Sequence, residues 1–378
     1  MVHYWQPVKC VNKDTPTNNS TNTVKIPDAG QVGSLLAVFQ CDMDNVGRTS
    51  KDWRLIDELD LLEVKGNGTR TLLSLSARQA RAFAWYDQKV FPPDILREYA
   101  TTSQVAVVLL NFGERLYDPI HGLNAEKWSG GLELKIKNTL DTTQWNETKY
   151  SYEVFAMMKR EGTPFVGHFR KEDYKPYTTA ATTWEYIDLP TEGKLRRLIL
   201  EMIASTTNGV DDTNPTNYAT QIKYFKKSRK VELYDVAAST MQRINLLENQ
   251  AEVLSHIQHY YHTADYGLRS GVGYPLAWAG MSVSKDGEVQ AAFHGIDEQT
   301  NSCIKPEGYE ADHPTSMLIK GMGPESTIIF RHDREPNMAD MLDLAMEKTV
   351  TFDIYAKNAS GGNHVLLDRY FTTEGETA

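Results

Sequence analysis

Three histidines stand in steps of three in the run HIQHYYH: His256, His259 and His262. On a helix that spacing brings two imidazoles to one face, where a transition metal could bind. Histidines near a helix end are more often hydrogen-bonded surface, and that is the reading adopted. Asp42 and Asp44 in CDMDN offer oxygen ligands, but the run lacks the glycine and distal glutamate of an EF-hand loop and reads as a solvated loop. A duplicated metal-binding β-barrel of the cupin type would need two histidines one residue apart, and His-x-His does not occur. Gly-x-Ser-x-Gly, the phosphate-binding P-loop and His-Glu-x-x-His are also absent, so no nucleophile elbow, phosphate cradle or zincin helix is recognisable. The Gly-rich runs SGVGYP and GMGPES do not link a strand to a helix as a dinucleotide fingerprint must, and read as turns. Fifty Asp and Glu residues would supply a glycosidase acid pair in any fold, and sequence does not give their separation. The expectation is a chain with no catalytic residue, no metal and no cofactor.

Composition limits the remaining classes. A chain of 378 residues with 40% apolar content has material for two or three domains with sizeable cores. Cys10, Cys41 and Cys303 are too few and scattered for a disulfide framework and read as free thiols. A net charge of −10 argues against sequence-specific nucleic acid binding through a basic surface. The one basic run, KKSRK at Lys226–Lys230, reads as a turn. No apolar run is long enough for a membrane helix, and the opening MVHYWQPVKC has no signal-peptide pattern. Sequons at Asn67, Asn146 and Asn358 are read as chance occurrences.

The strongest signal is self-similarity. VKIPDAGQVGSLL, from Val24, returns as IDLPTEGKLRRLI, from Ile187. At an offset of 163 (189 minus 26), Ile26, Pro27 and Gly30 meet Leu189, Pro190 and Gly193, and Val32, Leu35 and Leu36 meet Leu195, Leu198 and Ile199. Continued without a gap, the same offset puts Leu59 and Leu61 on Ile222 and Tyr224, Leu73 on Val236 and Gln79 on Gln242. A looser echo sets Leu132, Leu134 and Ile136 on Phe352, Ile354 and Ala356. Internal repetition of this kind predicts two domains of one fold in tandem.

Within each copy, segments such as LELKIKN, YSYEVFAMM, VELYDVA and TFDIYAKN alternate apolar with polar residues between Gly, Pro, Asn and Asp clusters. They read as antiparallel strands with one buried face. Each copy carries one helical segment after the same strand: ARQARAFAWYDQ, and VAASTMQRINLLENQAEVLSHIQHYY from about Val236 to Tyr261, whose Ile244, Leu247, Ala251, Leu254, Ile257 and Tyr261 would form an apolar stripe. The predicted fold class is all-β with minor helices: two tandem eight-stranded antiparallel jelly-roll sandwiches, each with a flanking helix. The boundaries read from sequence are an N-terminal arm at 1–22, a first roll at 23–175, a second at 176–372 and a tail at 373–378. The junction is set in KEDYKPYTTAATTW, Lys171–Trp184.

With IPDAGQV and LPTEGKL opening the copies, LIDELDLL followed by GNGTRTLLSLSA, and LLNFGERLYDPIHGL followed by GGLELKIKN, the chain from about Thr23 to Phe371 resembles the double jelly-roll major capsid proteins of tailless icosahedral viruses. These include the lineage of adenovirus hexon and the membrane-containing phages. The resemblance implies a virion shell protein and no enzyme. It implies a homotrimer whose six rolls make a pseudo-hexagonal capsomer, with capsomer neighbours, penton or vertex proteins, minor capsid proteins and an internal viral membrane as partners, and assembly in the host cytoplasm. The insertion-rich stretch Lys285–Ser326 is assigned to an exposed crown. The alternative is a tandem β-sandwich lectin or glycosidase, with exposed aromatics as sugar platforms.

Overall fold

The computed structural model describes residues 4–14, 17–44, 54–98, 102–203, 219–250, 253–260, 272–273, 278–285, 288–294, 314–321, 323–335 and 338–373. In chain order the first half forms β1 (Trp5–Asp14), β2 (Thr21–Ile26), β3 (Gln31–Met43), β4 (Leu61–Gly66) and β5 (Arg70–Leu75). Helix α1 (Ala77–Gln88) comes next, followed by β6 (Arg97–Glu98), β7 (Ser103–Asn111), β8 (Leu123–Asn124), β9 (Leu132–Lys137) and β10 (Trp145–Lys159). The second half opens with β11 (Gly167–Thr179), β12 (Trp184–Asp188), β13 (Lys194–Ile203), β14 (Ala219–Lys226), β15 (Val231–Ala237) and α2 (Ala238–Asn249). A sub-assembly follows, built from β16 (Val253–Tyr260), β17 (Val272–Gly273), β18 (Trp278–Lys285), β19 (Glu288–His294), β20 (Pro314–Gly321) and β21 (Gly323–Pro324). The chain closes with β22 (Thr327–Arg331), β23 (Leu342–Asp343), β24 (Thr351–Ala356) and β25 (Ser360–Thr372).

The halves share one topology, strand for strand. Roll 1 packs the sheet β1-β10-β3-β7 on β2-β9-β4-β5, and roll 2 packs β11-β25-β13-β22 on β12-β24-β14-β15. The short β8 adds to β3 as β23 adds to β13. Even an irregularity repeats: the ladder of β3 with β10 slips at Gly33, and that of β13 with β25 slips at Arg196. Alternation along each strand turns one set of side chains inward. Leu35, Ala37 and Phe39 enter one core, and Leu198, Leu200 and Met202 the other.

The opening of the repeat is as the sequence implied, for Gly30 and Gly193 both hold left-handed backbone, at φ +94° and +78°. The single offset does not extend further. Val24 faces Leu134 as Ile187 faces Phe352, and Val64 and Tyr224 face those same partners. The spacing is therefore 163 at Val24 and Ile187, 160 at Leu62 and Ile222, and 161 at Ala77 and Ala238. Gln79 corresponds to Thr240, not Gln242, and Leu134 to Phe352, not Ile354. The echo at Leu134 slips by two, which alternating strands tolerate with no loss of pattern; at β4 the slip is three, and the adjacent pair Leu61-Leu62 supplies an apolar residue at either parity.

Three further expectations differ. Trp5–Asp14, read as an arm, is a strand of roll 1 paired with β10. Lys171–Trp184, read as the junction, is largely β11, paired with β25 from Gly167 to Thr179. Beyond Glu172 its other side has no ladder partner among the described residues, so Pro176 costs no backbone hydrogen bond there. The long helix read from Val236 to Tyr261 ends at Asn249, where Gln250 turns left-handed at φ +51°, and the chain continues as β16. Leu247, placed by that reading in a buried stripe, is 76% exposed. Helix α2 docks instead through Ala238, Met241, Gln242, Asn245 and Asn249, and Asn245 exchanges two hydrogen bonds with the Ile329 backbone of β22.

Candidate functional site: the junction between the rolls

The rolls meet through backbone and charge. β5 of roll 1 pairs in parallel with β11 of roll 2, at Leu73 with Lys171 and Ser74 with Glu172, joining two sheets into one. Helix α1 lies in the seam. Its start is fixed by a capping box of Ser76 and Gln79, and the Gln79 amide then donates to Glu201 at 2.9 Å and Asp173 at 3.1 Å. Arg78 Nε donates to the other Glu201 oxygen at 2.8 Å. At the far end of α1, Asp87 accepts from Lys171 and from Arg197, both at 2.6 Å. Asp333 ties Arg196, Arg197 and Arg331 together.

A second buried group sits beside the β21–β22 turn. Glu325 receives both terminal nitrogens of Arg54, at 3.1 and 2.9 Å, and Arg81 Nη1 at 2.5 Å. Arg54 also grips Asp57 in a two-pronged pair. Arg81 Nε lies 2.8 Å from Asp94, an ion pair whose angle falls outside hydrogen-bond geometry. Burial works against the carboxylates throughout; Arg54 and Arg81 nevertheless hold Glu325 below its ordinary range, and Lys171, Arg197 and Arg196 do the same for Asp87. Glu325 and Asp87 are charged, bonded and enclosed, so they brace the seam, while burial raises Asp94 above its ordinary range.

A cleft of about 440 Å³ opens along the seam, with Asp57, Asp60 and Asp173 in its wall. Arg54 holds Asp57, Lys137 lies 3.5 Å from Asp60, and Asp173 has Gln79 and the His364 ring 2.7 Å away. No unclaimed acid pair lines it. A second groove of about 520 Å³ contains Trp128, but that indole is buried against Gly66 and under the Arg70 guanidinium, so it offers no stacking platform.

Among the described residues, His256, His259, Asp42 and Asp44 form no metal centre. His256 and His259 lie on strand β16, where helical spacing has no meaning, and His262 lies outside the described residues. Asp42 accepts from the Ser103 hydroxyl, and Asp44 from the Asn146 amide at 2.8 Å. KKSRK is the β14–β15 turn, as expected, and Arg229 there pairs with Asp353. Of GMGPES, Glu325 proves to be the buried anchor just described. Most of the expected crown, with Cys303, lies outside the described residues. Burial pushes the thiols of Cys10 and Cys41 up to about 11 and about 12.

One cluster escaped the sequence reading. Glu114, Asp118 and His121, in the run GERLYDPIHGL, bring ligand atoms within 4.8 Å of one another. Asp118 is already saturated, accepting from the backbone N–H groups of Glu114, Ile120 and His121 and contacting His121 Nδ1 at 3.0 Å. It ties the loop and leaves no lone pair aimed at an ion.

No protein-family model and no curated protein matches the chain. Solved structures do. The crystal structure of the STIV MCP aligns over 98% of this chain and 97% of its own, with a TM-score of 0.62 at 12% identity. A chain in the atomic structure of Sulfolobus Turreted Icosahedral Virus aligns over 99% and 92%, with a TM-score of 0.63 at 11% identity. The major capsid protein P2 from bacteriophage PM2 aligns over 98% and 97%, with a TM-score of 0.51 at 8% identity. The chain has their double jelly-roll fold. The likeness spans both rolls and the seam between them, so it concerns the tandem arrangement and not one sandwich alone.

Proposed function

We propose that the protein is the major capsid protein of an icosahedral virus and acts as a homotrimeric, pseudo-hexagonal building block of the virion shell. The observation that carries this reading is the end-to-end likeness to capsid proteins across both rolls. The seam supports it physically. A tile must transmit load without its halves pivoting, and a shared sheet with enclosed ion pairs resists rotation better than the polar, mobile contact usual between domains. The units of the tile run from Trp5 to Lys159 and from Gly167 to Thr372, joined at 160–166. Vertex proteins, minor capsid proteins and an internal membrane are the partners that fit such a tile, with assembly in the host cytoplasm.

The lectin or glycosidase reading has less support, because the described clefts hold no unclaimed acid pair and Trp128 is covered. Light scattering and negative-stain imaging of the purified protein decide between them. A threefold particle of about 128 kDa (three chains of 42.8 kDa) with a six-sided outline is expected. A monomer at micromolar concentration that is stabilised by sugars would refute the capsid reading.

A further inference from the structure

Helices α1 and α2 are counterparts with opposite surroundings. Each follows the same strand, has the same length and ends on a left-handed residue, Lys89 or Gln250. Residues Ala77 to Tyr86 of α1 are buried on every side apart from a half-buried Arg78. The cover is roll 2. Arg78 and Gln79 reach Glu201 while Asp87 reaches Arg197, so α1 crosses the outer face of β13 with Ile199 beneath it. Ile199 faces Ile329 on one side and Leu366 on the other. This row of three belongs to the same apolar cluster as Phe83, Trp85 and Tyr86 of α1, not to the core of roll 2.

Helix α2 has its own roll beneath it and, among the described residues, nothing above. Ser239, Thr240, Arg243 and Leu247 face outward. Leu247 is 76% exposed where its counterpart Tyr86 is 2% exposed. Roll 1, for its part, carries an outer apolar row that is left part-open at Leu36 and Phe155. Leu36 faces Leu109 and Phe155 in the same ladders in which Ile199 faces Ile329 and Leu366. These three lie outside the core cluster of roll 1; Leu36 and Phe155 are half-buried and Leu109 is 8% exposed. Among the described residues, roll 2 thus has a helix face with no sheet over it, and roll 1 has a sheet face left part-open.

We infer that the outer face of α2, centred on Leu247, docks on the Leu109–Leu36–Phe155 row of a second copy of this chain, repeating between chains the contact that α1 makes within one. The inference rests on the trimer reading above and supplies its contact: a heterologous, head-to-tail surface that closes into a ring. The strand pairing of β5 with β11 is not repeated. β1 takes the place of β11, and Pro7 stands where Lys171 stands, with no N–H to donate. Nor are the ions. Glu248 and Ser34 replace Asp87 and Arg197, and Glu248 is already paired with Arg334 inside its own chain. The contact between copies is accordingly centred on apolar Leu247, with Ser239, Thr240 and Arg243 around it, where the seam within a chain is ionic.

The test is the oligomer of the full chain, measured by analytical ultracentrifugation from nanomolar to micromolar concentration, with circular dichroism to report the fold. The wild type is expected as a trimer. Leu247→Asp and, separately, Leu36→Asp should keep the β-rich spectrum and raise the trimer dissociation constant at least a hundredfold. Tyr186→Ser, on the opposite edge of roll 2, should leave it unchanged. A wild-type trimer together with a folded Leu247→Asp trimer of unaltered dissociation constant overturns the docking surface and leaves the capsid reading intact. A Leu247→Asp chain that loses its spectrum places Leu247 inside the fold of the single chain and also overturns it. A wild type that is monomeric throughout overturns the reading on which the inference stands.

Discussion

Replacing Glu325 by Gln keeps the shape of the side chain and removes one negative charge from between two guanidiniums. Arg54, Arg81 and Glu325 are all at least 98% buried, so water cannot replace what is lost. Removing one partner of a buried ion pair generally costs about 3–5 kcal/mol. Here Arg54 keeps Asp57 and Arg81 keeps Asp94, which puts the expected loss near the lower end, about 3 kcal/mol. For a chain of 378 residues the unfolding entropy is about 0.8 kcal/mol per kelvin, so the melting temperature should fall by about 4 °C. Differential scanning calorimetry should show this, and because Glu325 belongs to roll 2 while Arg54 and Arg81 belong to roll 1, the single transition should broaden or split. The effect depends on pH in a set direction. Glu325 is held below its usual range in the fold, so the wild type has this stabilisation above the unfolded carboxylate range and loses it as pH falls through the folded value. The two proteins should converge in acid. An unchanged melting temperature at neutral pH, or a difference that grows toward acid, would refute the reasoning that the charges at the seam hold the rolls together.

Burial holds the His332 imidazole down at about 4, beside the Tyr224 hydroxyl. The unfolded chain therefore takes up a proton first, and stability on the order of 3 kcal/mol should drain away as pH falls from about 6.5 to about 4; denaturant titrations of His332→Gln should lack that slope. Asn245→Leu removes both side-chain bonds to the Ile329 backbone and should cost about 1–3 kcal/mol by urea unfolding, with hydrogen exchange rising in α2 before elsewhere. A Cβ on Gly66 would stand 2.3 Å from the Trp128 ring, so Gly66→Ala should cost about 1–3 kcal/mol and change the tryptophan fluorescence.

The fold class was legible because strand alternation and a repeated turn are local signals. Val24–Gly30 and Ile187–Gly193 announce the duplication through side chains that enter equivalent cores and glycines that take the same left-handed turn. Register was not legible, since shifting Leu132, Leu134 and Ile136 by two against Phe352 and Ile354 preserves every apolar match. The end of α2 was hidden for a related reason: Gln250 turns left-handed without the glycine that would have advertised it, and LSHIQHYY suits a helix or a strand equally. The seam was the least visible of all. Arg196, Arg197 and Glu201 alternate with leucines in KLRRLILEMI and so resemble a solvated face. Only the position of α1 over that face makes them interior, and nothing in the local text of β13 records what lies above it.

The near-complete enclosure of α1 has a consequence for the order of synthesis. When a ribosome has released roll 1 but not yet roll 2, Phe83 and Asp87 lack their cover and the partner charges from Lys171 and Arg197, all of which are still to be made. For that interval the nascent half-protein displays a helix face and, on its other side, the Leu36 row that accepts such a face. By the docking inferred above, neighbouring half-made chains on one message should stick to each other, and completion of the second roll should withdraw the helix from that competition. By the same reading a fragment ending at Val166 should gather into chains of indefinite length, whereas the full protein should stop at a closed ring.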